Sequence, residues 1–179
     1  MPKRLSIIFA LFFLLSAGAS SHSQNALPPV VQAEIKKAQS SCEPERSVLK
    51  PGFLVEKDIN GDGVKDYVLD YAEFECGGHS FFCGTAGCLT QVFASLSGDG
   101  YAKVLDENVR NIKFRTIKGR PAMIIELHGP ACGRAGAAPC GATLYWNGEK
   151  FSPRTDVSYH WRGKYHGSMR LFVLDLQRQ

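Results

Sequence analysis

The sequence predicts a mainly β domain of antiparallel strands, arranged as a meander, a twisted sheet or a small sandwich, with one short N-terminal helix. After Pro51, short runs alternate apolar and polar residues, which is typical of half-buried strands. Gly-rich and Asn-Gly turn signals separate these runs, as in hairpins. Helical spacing of apolar residues is found before this region. We therefore expect sequential strands to pair with each other.

The predicted helix is VVQAEIKKAQSS, residues 30–41, where Val31, Ile35 and Ala38 lie on one helical face. Pro29 suits its first turn, because the N–H that proline lacks would have no partner there. We expect this helix to pack on the β-domain. The preceding segment NALPP, residues 25–29, is expected to be an exposed linker.

Eight or nine short strands follow. The segment AMIIELH is apolar enough for a central strand, and KGRP before it predicts a turn. Asn147 and Gly148 predict a type I′ hairpin between two later strands. In chain order the strand segments are GFLVEKD, DYVLDYAEF, CLTQVFASL, YAKVL, NIKFRTI, AMIIELH, ATLYW, KFSPR and MRLFVLDL.

The first 19 residues have the organisation of a secretory signal peptide. Lys3 and Arg4 precede an apolar run from residue 5 to 15, and Ala17-Gly18-Ala19 forms a small-residue cleavage pattern. The run is too short to span a bilayer as a mature helix. We expect cleavage after Ala19 and a mature protein in the periplasm or outside the cell.

The predicted organisation is a signal peptide at 1–19, a linker and short helix at 20–41, and a single disulfide-braced β-domain at 42–179. Without the two basic residues of the leader, 19 basic and 17 acidic side chains remain, a formal net charge of +2. A nearly neutral chain has no general attraction to nucleic acid or to membranes. No second apolar run could cross a membrane. The expected partner is a protein or a cell-envelope component.

The cysteines predict disulfides, because their number is even and the chain carries an export signal. Six cysteines allow 15 pairings. Local spacing favours Cys132 with Cys140 and Cys83 with Cys88, which leaves Cys42 for Cys76. The alternative is a zinc site that uses these thiols and His79, although the spacings match no paired C-x2-C pattern.

An acidic loop, DINGDGVKD at residues 58–66, carries the strongest chemical signal. Ca²⁺ binds six to eight oxygens from carboxylates, amides and backbone carbonyls. Position 7 of the loop, Val64, would supply its carbonyl, and Gly61 and Gly63 permit a tight turn. The side-chain ligands at positions 1, 3, 5 and 9 would be Asp58, Asn60, Asp62 and Asp66.

The loop departs from an EF-hand, because Leu69 stands where that motif has its bidentate Glu and a strand-like segment follows. Residues 58–70 resemble instead the D-x-N-x-D-G-x-x-D calcium loops of FG-GAP and VCBS-type repeats, as in integrin-like β-propellers. The resemblance implies a structural Ca²⁺ in a loop between two strands. One motif copy in a chain too short for a propeller carries over no adhesive function. The alternative is a solvated Asx-type turn without metal.

The mature chain, with FCGTAGC after the acidic loop, also resembles a class of small exported proteins of Gram-negative bacteria. That resemblance implies the periplasm. A second candidate surface is the aromatic-basic stretch within residues 154–170, which could bind sugars, nucleotides or anionic polymers. The alternative is a loop and edge strand whose basic stems cover apolar surface. The residues of this candidate aromatic-basic surface are Tyr159, Trp161, Arg162, Lys164 and Tyr165.

These features favour an exported, calcium-stabilised, disulfide-braced module that binds a partner without catalysing a reaction. Its expected contact surfaces are the loops 76–88 and 132–140 and the stretch 159–166. One alternative is a periplasmic hydrolase, in which a histidine and a carboxylate would share a cleft, although the chain has no Ser elbow or H-E-x-x-H motif. Another is an inhibitor of a secreted enzyme. The hydrolase candidates are His79 and His128 with Asp70 or Glu126.

Overall fold

A computed structural model describes residues 26–98, 100–138 and 140–153. The predicted signal peptide and the predicted strand MRLFVLDL lie outside the described residues. So does the aromatic-basic surface of Tyr159, Trp161, Arg162, Lys164 and Tyr165. The described ranges form a mainly β fold with one N-terminal helix, which confirms the predicted fold class.

Helix α1 spans Pro29–Ser40, close to the predicted bounds. Val31 and Ala38 are buried, and Ile35 packs beside them, as its periodicity predicts. Within the described ranges, no helix has both the length and the apolar character needed to cross a bilayer. The strands are β1 Ser47–Leu49, β2 Leu54–Lys57, β3 Asp66–Asp70, β4 Phe74–Cys76, β5 Cys83–Gly84, β6 Gly87–Leu96, β7 Gly100–Val109, β8 Asn111–Ile117, β9 Arg120–Leu127, β10 Cys140–Trp146 and β11 Phe151–Ser152.

Two antiparallel sheets form the body of the fold. In the first, β2, β3, β6 and β7 lie side by side, and the short β5 pairs with the start of β6. In the second, β8, β9, β10 and β11 form a meander. The expected pairing of sequential strands is therefore confirmed throughout the second sheet, whereas in the first sheet β3 pairs with β6 and not with the next strand in the chain. The pairing of β1 with β4 is also non-sequential.

The sheets pack face to face, and α1 covers the outer face of the first sheet. Val68 of β3 lies in the core between the sheets with Met123 and Ile125 of β9. Its neighbour Leu69 belongs to a second core that contains Val31 of α1. Because successive side chains of a strand point to opposite faces, β3 is buried on both sides. The result is a small sandwich with a helical layer on one side.

All six cysteines form disulfides, in the pairing that local spacing favours. The Cα–Cα distances are 5.3 Å for Cys42–Cys76, 4.0 Å for Cys83–Cys88 and 5.8 Å for Cys132–Cys140. All six lie in the described part of the chain, and none is a free thiol. The alternative zinc site built from these thiols and His79 is therefore wrong.

The predicted type I′ turn at Asn147 is wrong. That turn requires positive φ at both central residues, whereas Gly148 has φ 101° and Asn147 has no positive φ. The Asn147 side chain instead accepts hydrogen bonds from the backbone N–H groups of Glu149 (3.0 Å) and Lys150 (2.8 Å). This Asx-type arrangement stabilises a longer loop between β10 and β11.

The tight hairpin turn with two positive φ angles occurs between β8 and β9. There Lys118 has φ 50° and Gly119 has φ 76°. Ile117 pairs with Arg120 across this turn, so the loop contains only two residues. The turn predicted from KGRP is thus confirmed.

Candidate functional site

The acidic loop joins β2 to β3, the first two strands of the first sheet. Lys57 pairs with Asp66, and the eight residues between them form the turn. The segment after the loop is a strand and not a helix. The strand–loop–strand setting predicted for residues 58–70 is therefore confirmed, whereas metal binding remains a prediction.

Asp66 holds the loop onto β6. Its side chain is fully buried. One carboxylate oxygen accepts hydrogen bonds from the backbone N–H groups of Ile59 (2.7 Å) and Asn60 (3.2 Å). The other accepts the N–H of Ser95 at 2.7 Å. Among the described residues no Lys, Arg or His forms an ion pair with Asp66, so backbone dipoles and the Ser95 hydroxyl compensate its charge.

Asp58 closes the exposed side of the loop. Its two carboxylate oxygens accept the N–H groups of Gly61 at 2.6 Å and Gly63 at 3.0 Å. These glycines have φ of 81° and 83°. A side chain with a Cβ is strained in this region of φ, which explains both glycines physically.

Ser95 is part of the loop's polar network, although no local motif identifies it. Its hydroxyl lies 2.8 Å from a carboxylate oxygen of Asp62 and 2.7 Å from one of Asp66. A hydroxyl has one proton, so it donates to only one of these oxygens at a time. The carboxylate oxygen that does not receive this proton has no hydrogen bond from the Ser95 hydroxyl. Two carboxylates thus compete for one donor.

Asn60 completes the network and is itself buried. Its side-chain amide donates to Asp62 and to the Ser95 carbonyl, both at 3.0 Å. Burial by itself would raise the pKa of the Asp62 carboxyl. Hydrogen bonds from the Val64 N–H, the Ser95 hydroxyl and the Asn60 amide outweigh it, and the net effect lowers that pKa.

The chemistry of this donor set fits a hard cation, because it offers carboxylate and amide oxygens on one short turn. The geometry shows a different use of those oxygens, since N–H and O–H groups bond to each of the three Asp carboxylates. Across residues 26–98, 100–138 and 140–153, no group of three or more His, Cys, Asp or Glu side chains is arranged to hold a metal ion.

A cleft of about 440 Å³ opens at the other end of β3. Asp66 begins that strand and Asp70 ends it, so the acidic loop and the cleft lie at opposite ends of the strand. The cleft lies between the hairpin of β5 and β6 and the corner where β7 meets β8. Its polar side chains include those of Asp70, Thr90, Arg110 and Asn111.

Two cystine-braced loops meet at this end of the molecule. The Arg110 guanidinium lies 3.4 Å from the carbonyl of Thr85, inside the Cys83–Cys88 loop. It lies at the same distance from the carbonyl of Gly136, inside the Cys132–Cys140 loop. Just before Cys83, within the segment 76–88, Phe81 exposes 59% of its surface. The expected contact loops 76–88 and 132–140 are therefore brought together, and Arg110 is a functional candidate that sequence reasoning missed.

The histidine and carboxylate candidates are not brought together. Asp70 lines the cleft, but neither His79 nor His128 does. Glu126 accepts a hydrogen bond from the Asn111 side chain at 3.3 Å. Within the described ranges, no hydrogen bond or ion pair links either histidine to an acid. The geometry therefore adds no support to the hydrolase alternative.

Comparison of the chain with protein-family models, with curated proteins and with solved structures finds no significant match. The resemblances to FG-GAP and VCBS loops and to small exported proteins of Gram-negative bacteria therefore stay predictions.

Proposed function

We propose that this chain is an exported, calcium-stabilised, disulfide-braced binding module. Its binding surface would be the cystine end, defined as the loops 76–88 and 132–140 together with Arg110. The observation that carries this proposal is the convergence of both loops on the Arg110 side chain. Loops held on a rigid β scaffold are common sites of recognition. The partner would be a protein or a component of the cell envelope.

Disulfide chemistry supports the exported location. The six cysteines form three disulfides, which are compatible with an extracytoplasmic protein. Such bonds form and persist in oxidising compartments and are rare in the reducing cytosol. Together with the predicted leader, they favour the periplasm or the extracellular space.

The charge of the acidic loop supports the calcium part of the proposal. Asp58, Asp62 and Asp66 form no ion pair with any described residue. Asp62 and Asp66 also share the single proton of the Ser95 hydroxyl. A bound cation would reduce the electrostatic repulsion between these carboxylates. It would be held by oxygens of the three acids, with Asn60 and the Val64 carbonyl as further ligands. We expect a dissociation constant of roughly 10⁻⁴ to 10⁻³ M, as in extracellular calcium modules.

Site-specific photo-crosslinking tests the binding surface. The full chain, with its leader, is produced in its native cells with a photoreactive residue in place of Phe81, which is exposed at the cystine end. The matched control carries the same residue in place of Glu149. That side chain is also exposed, but it lies in the loop after β10, at the opposite end of that strand from Cys140.

We expect a discrete crosslinked product from position 81 and none from position 149. If the crosslinked partner is a secreted enzyme, the result would favour the alternative that the cystine end inhibits such an enzyme. Equal crosslinking at both positions, or none at position 81, would contradict a binding role for the cystine end.

A further inference from the structure

Three side chains on neighbouring strands form a row beside the cleft, and two of them, Asp70 and Thr90, line it. In the first sheet Thr90 of β6 pairs with Asp70 of β3 on one side and with Glu107 of β7 on the other. Directly paired residues in antiparallel strands project from the same face of the sheet. On β6 this is also the face of Val92, which lies in the core between the sheets. The row therefore borders the space between the two sheets at the cystine end.

The Thr90 hydroxyl lacks a protein partner in this row. Thr90 is only 2% exposed, and no group within the described ranges forms a hydrogen bond to its side chain. In the same ranges, no fully enclosed side-chain nitrogen or oxygen lacks a partner. The hydroxyl is therefore not fully enclosed, and Thr90 lines the cleft. A nearly buried polar group without a partner gains free energy when a ligand bonds to it.

Two opposite charges line the same cleft without pairing with each other. One oxygen of Asp70 accepts the Ala72 N–H at 3.0 Å, and the other has no donor among the described residues. Arg110 forms no ion pair with any described carboxylate. Its two carbonyl contacts of 3.4 Å are longer than ordinary hydrogen bonds. Both groups are thus available to a ligand.

The lining also indicates which ligands are unsuited to the cleft. Among the described residues that line it, none is aromatic, so a sugar or a base would have no ring to stack on. The volume of about 440 Å³ is within the range of small-molecule sites. The half-buried Glu107 pairs with Thr90 on the side away from Asp70 and does not line the cleft.

We infer that the cleft binds a small zwitterionic ligand of the amino-acid or dipeptide class. The ligand's ammonium group would bond to Asp70 and to the Thr90 hydroxyl, and its carboxylate would pair with Arg110. This inference rests on the proposed binding function and names the ligand class for the cystine end.

Calorimetric titration of the mature, oxidised chain with alanyl-alanine tests the inference. We expect saturable binding, which weakens about tenfold or more when the probe is N-acetyl-alanyl-alanine methyl ester, because that molecule lacks both charges. Glucose, an uncharged polyol, should give no binding. Absence of alanyl-alanine binding, or equal binding of the blocked dipeptide or of glucose, would overturn the inference.

Two substitutions locate the site. Thr90→Val and Arg110→Gln should each weaken alanyl-alanine binding about tenfold, the effect of losing one hydrogen bond of about 1.4 kcal/mol. The control Thr116→Val, on an exposed position of β8 beyond the cleft, should leave the affinity unchanged. Thr90→Val should not lower the melting temperature, because its hydroxyl has no protein partner. A fall of several degrees, or unchanged affinity, would refute this assignment. Crosslinking from position 81 does not depend on either result, so the two proposals can fail separately.

Discussion

At the scale of single residues, Asp66 shows how a buried carboxylate is tolerated without a cationic partner. Its oxygens accept the backbone N–H groups of Ile59, Asn60 and Ser95. Hydrogen bonds to the charged form offset much of the cost of removing a carboxylate from water. The same bonds join the acidic loop to β6, so Asp66 positions the loop whether or not a cation is bound.

Glu107 illustrates the opposite case, a carboxyl whose charge is disfavoured. Burial raises the pKa of Glu107, and the neighbouring charge of Asp106 raises it further. The folded protein therefore holds this proton more tightly than the unfolded chain does. The resulting loss of stability is absent below the unfolded pKa of about 4.3 and complete above the higher folded pKa.

Glu107→Gln should therefore raise the melting temperature at pH 7, because the substitution removes the ionisable group. Near pH 3.5 the variant and the wild-type protein should melt at the same temperature, since Glu107 is then neutral. Thermal unfolding at both pH values measures the difference. Glu149→Gln, at an exposed position, should have no effect at either pH. A stabilisation by Glu107→Gln that does not depend on pH would show that charge is not its cause.

At the scale of elements, the acidic loop connects two strands through a network in which two carboxylates share one hydroxyl proton. Ser95 lies near the end of β6, and its hydroxyl reaches both Asp62 and Asp66. Hydrogen bonding lowers the pKa of Asp62 despite its partial burial. The stability that Asp62 contributes is full above its unfolded pKa of about 3.9 and is lost as the pH falls through the lower folded value.

Calcium should raise the melting temperature through this loop. At 10 mM Ca²⁺ and a dissociation constant of about 10⁻³ M, linkage stabilises the folded state by about 1.4 kcal/mol. This corresponds to a shift of roughly 3 to 5 °C for a domain of this size. Asp62→Ala should abolish the shift, whereas Glu149→Ala, outside the loop, should preserve it. If the wild-type protein melts at the same temperature with Ca²⁺ and with a chelator, the proposal that the acidic loop binds calcium is wrong.

At the scale of the whole molecule, the disulfides brace both layers and loops. Cys42 follows α1 and is bonded to Cys76 at the end of β4, across 34 residues of sequence. Cys83 and Cys88 are only 5 residues apart and brace a single hairpin. In the chain-entropy model the longer loop constrains the unfolded state more strongly. The first bond should therefore contribute more to global stability.

Replacing both Cys42 and Cys76 by Ser should lower the free energy of unfolding by about 4 kcal/mol. The matched double replacement of Cys83 and Cys88 should cost about 2 kcal/mol, because its loop is short. Urea denaturation gives both values, and peptide mapping under non-reducing conditions verifies which bonds remain. A larger loss of unfolding free energy on removing Cys83–Cys88 than on removing Cys42–Cys76 would contradict this ranking.

Much of the architecture follows from local patterns in the sequence. The apolar run around Val68 and Leu69 predicts a strand, and its side chains divide between two cores. The face of Val31 and Ala38 predicts the packed side of α1. The cysteine spacings favour the observed pairing, because two of the three loops are short enough to close locally.

Other features depend on residues that are far apart in the chain. The register of β3 with β6 brings Ser95 to Asp66, 29 residues away, and no local motif contains that information. Likewise, Arg110 reaches both cystine loops only because the corner between β7 and β8 lies between them. At Asn147, the side chain accepts hydrogen bonds from backbone N–H groups, and these bonds stabilise a longer loop in place of the type I′ turn.

The sequence by itself thus determined the longer strands, the helix, the turn at Lys118 and Gly119 and the acidic loop, because their signals are local periodicity and turn chemistry. The short strands β1 and β5 were not predicted, and a 3₁₀ turn at Tyr71–Glu73 divides the predicted strand DYVLDYAEF. Only the tertiary structure decided which acids share the Ser95 proton, where the two cystine loops meet and that a cleft opens beside Thr90. The physical reason is that strand register and sheet packing depend on burying apolar surface across the whole domain, which no short segment specifies.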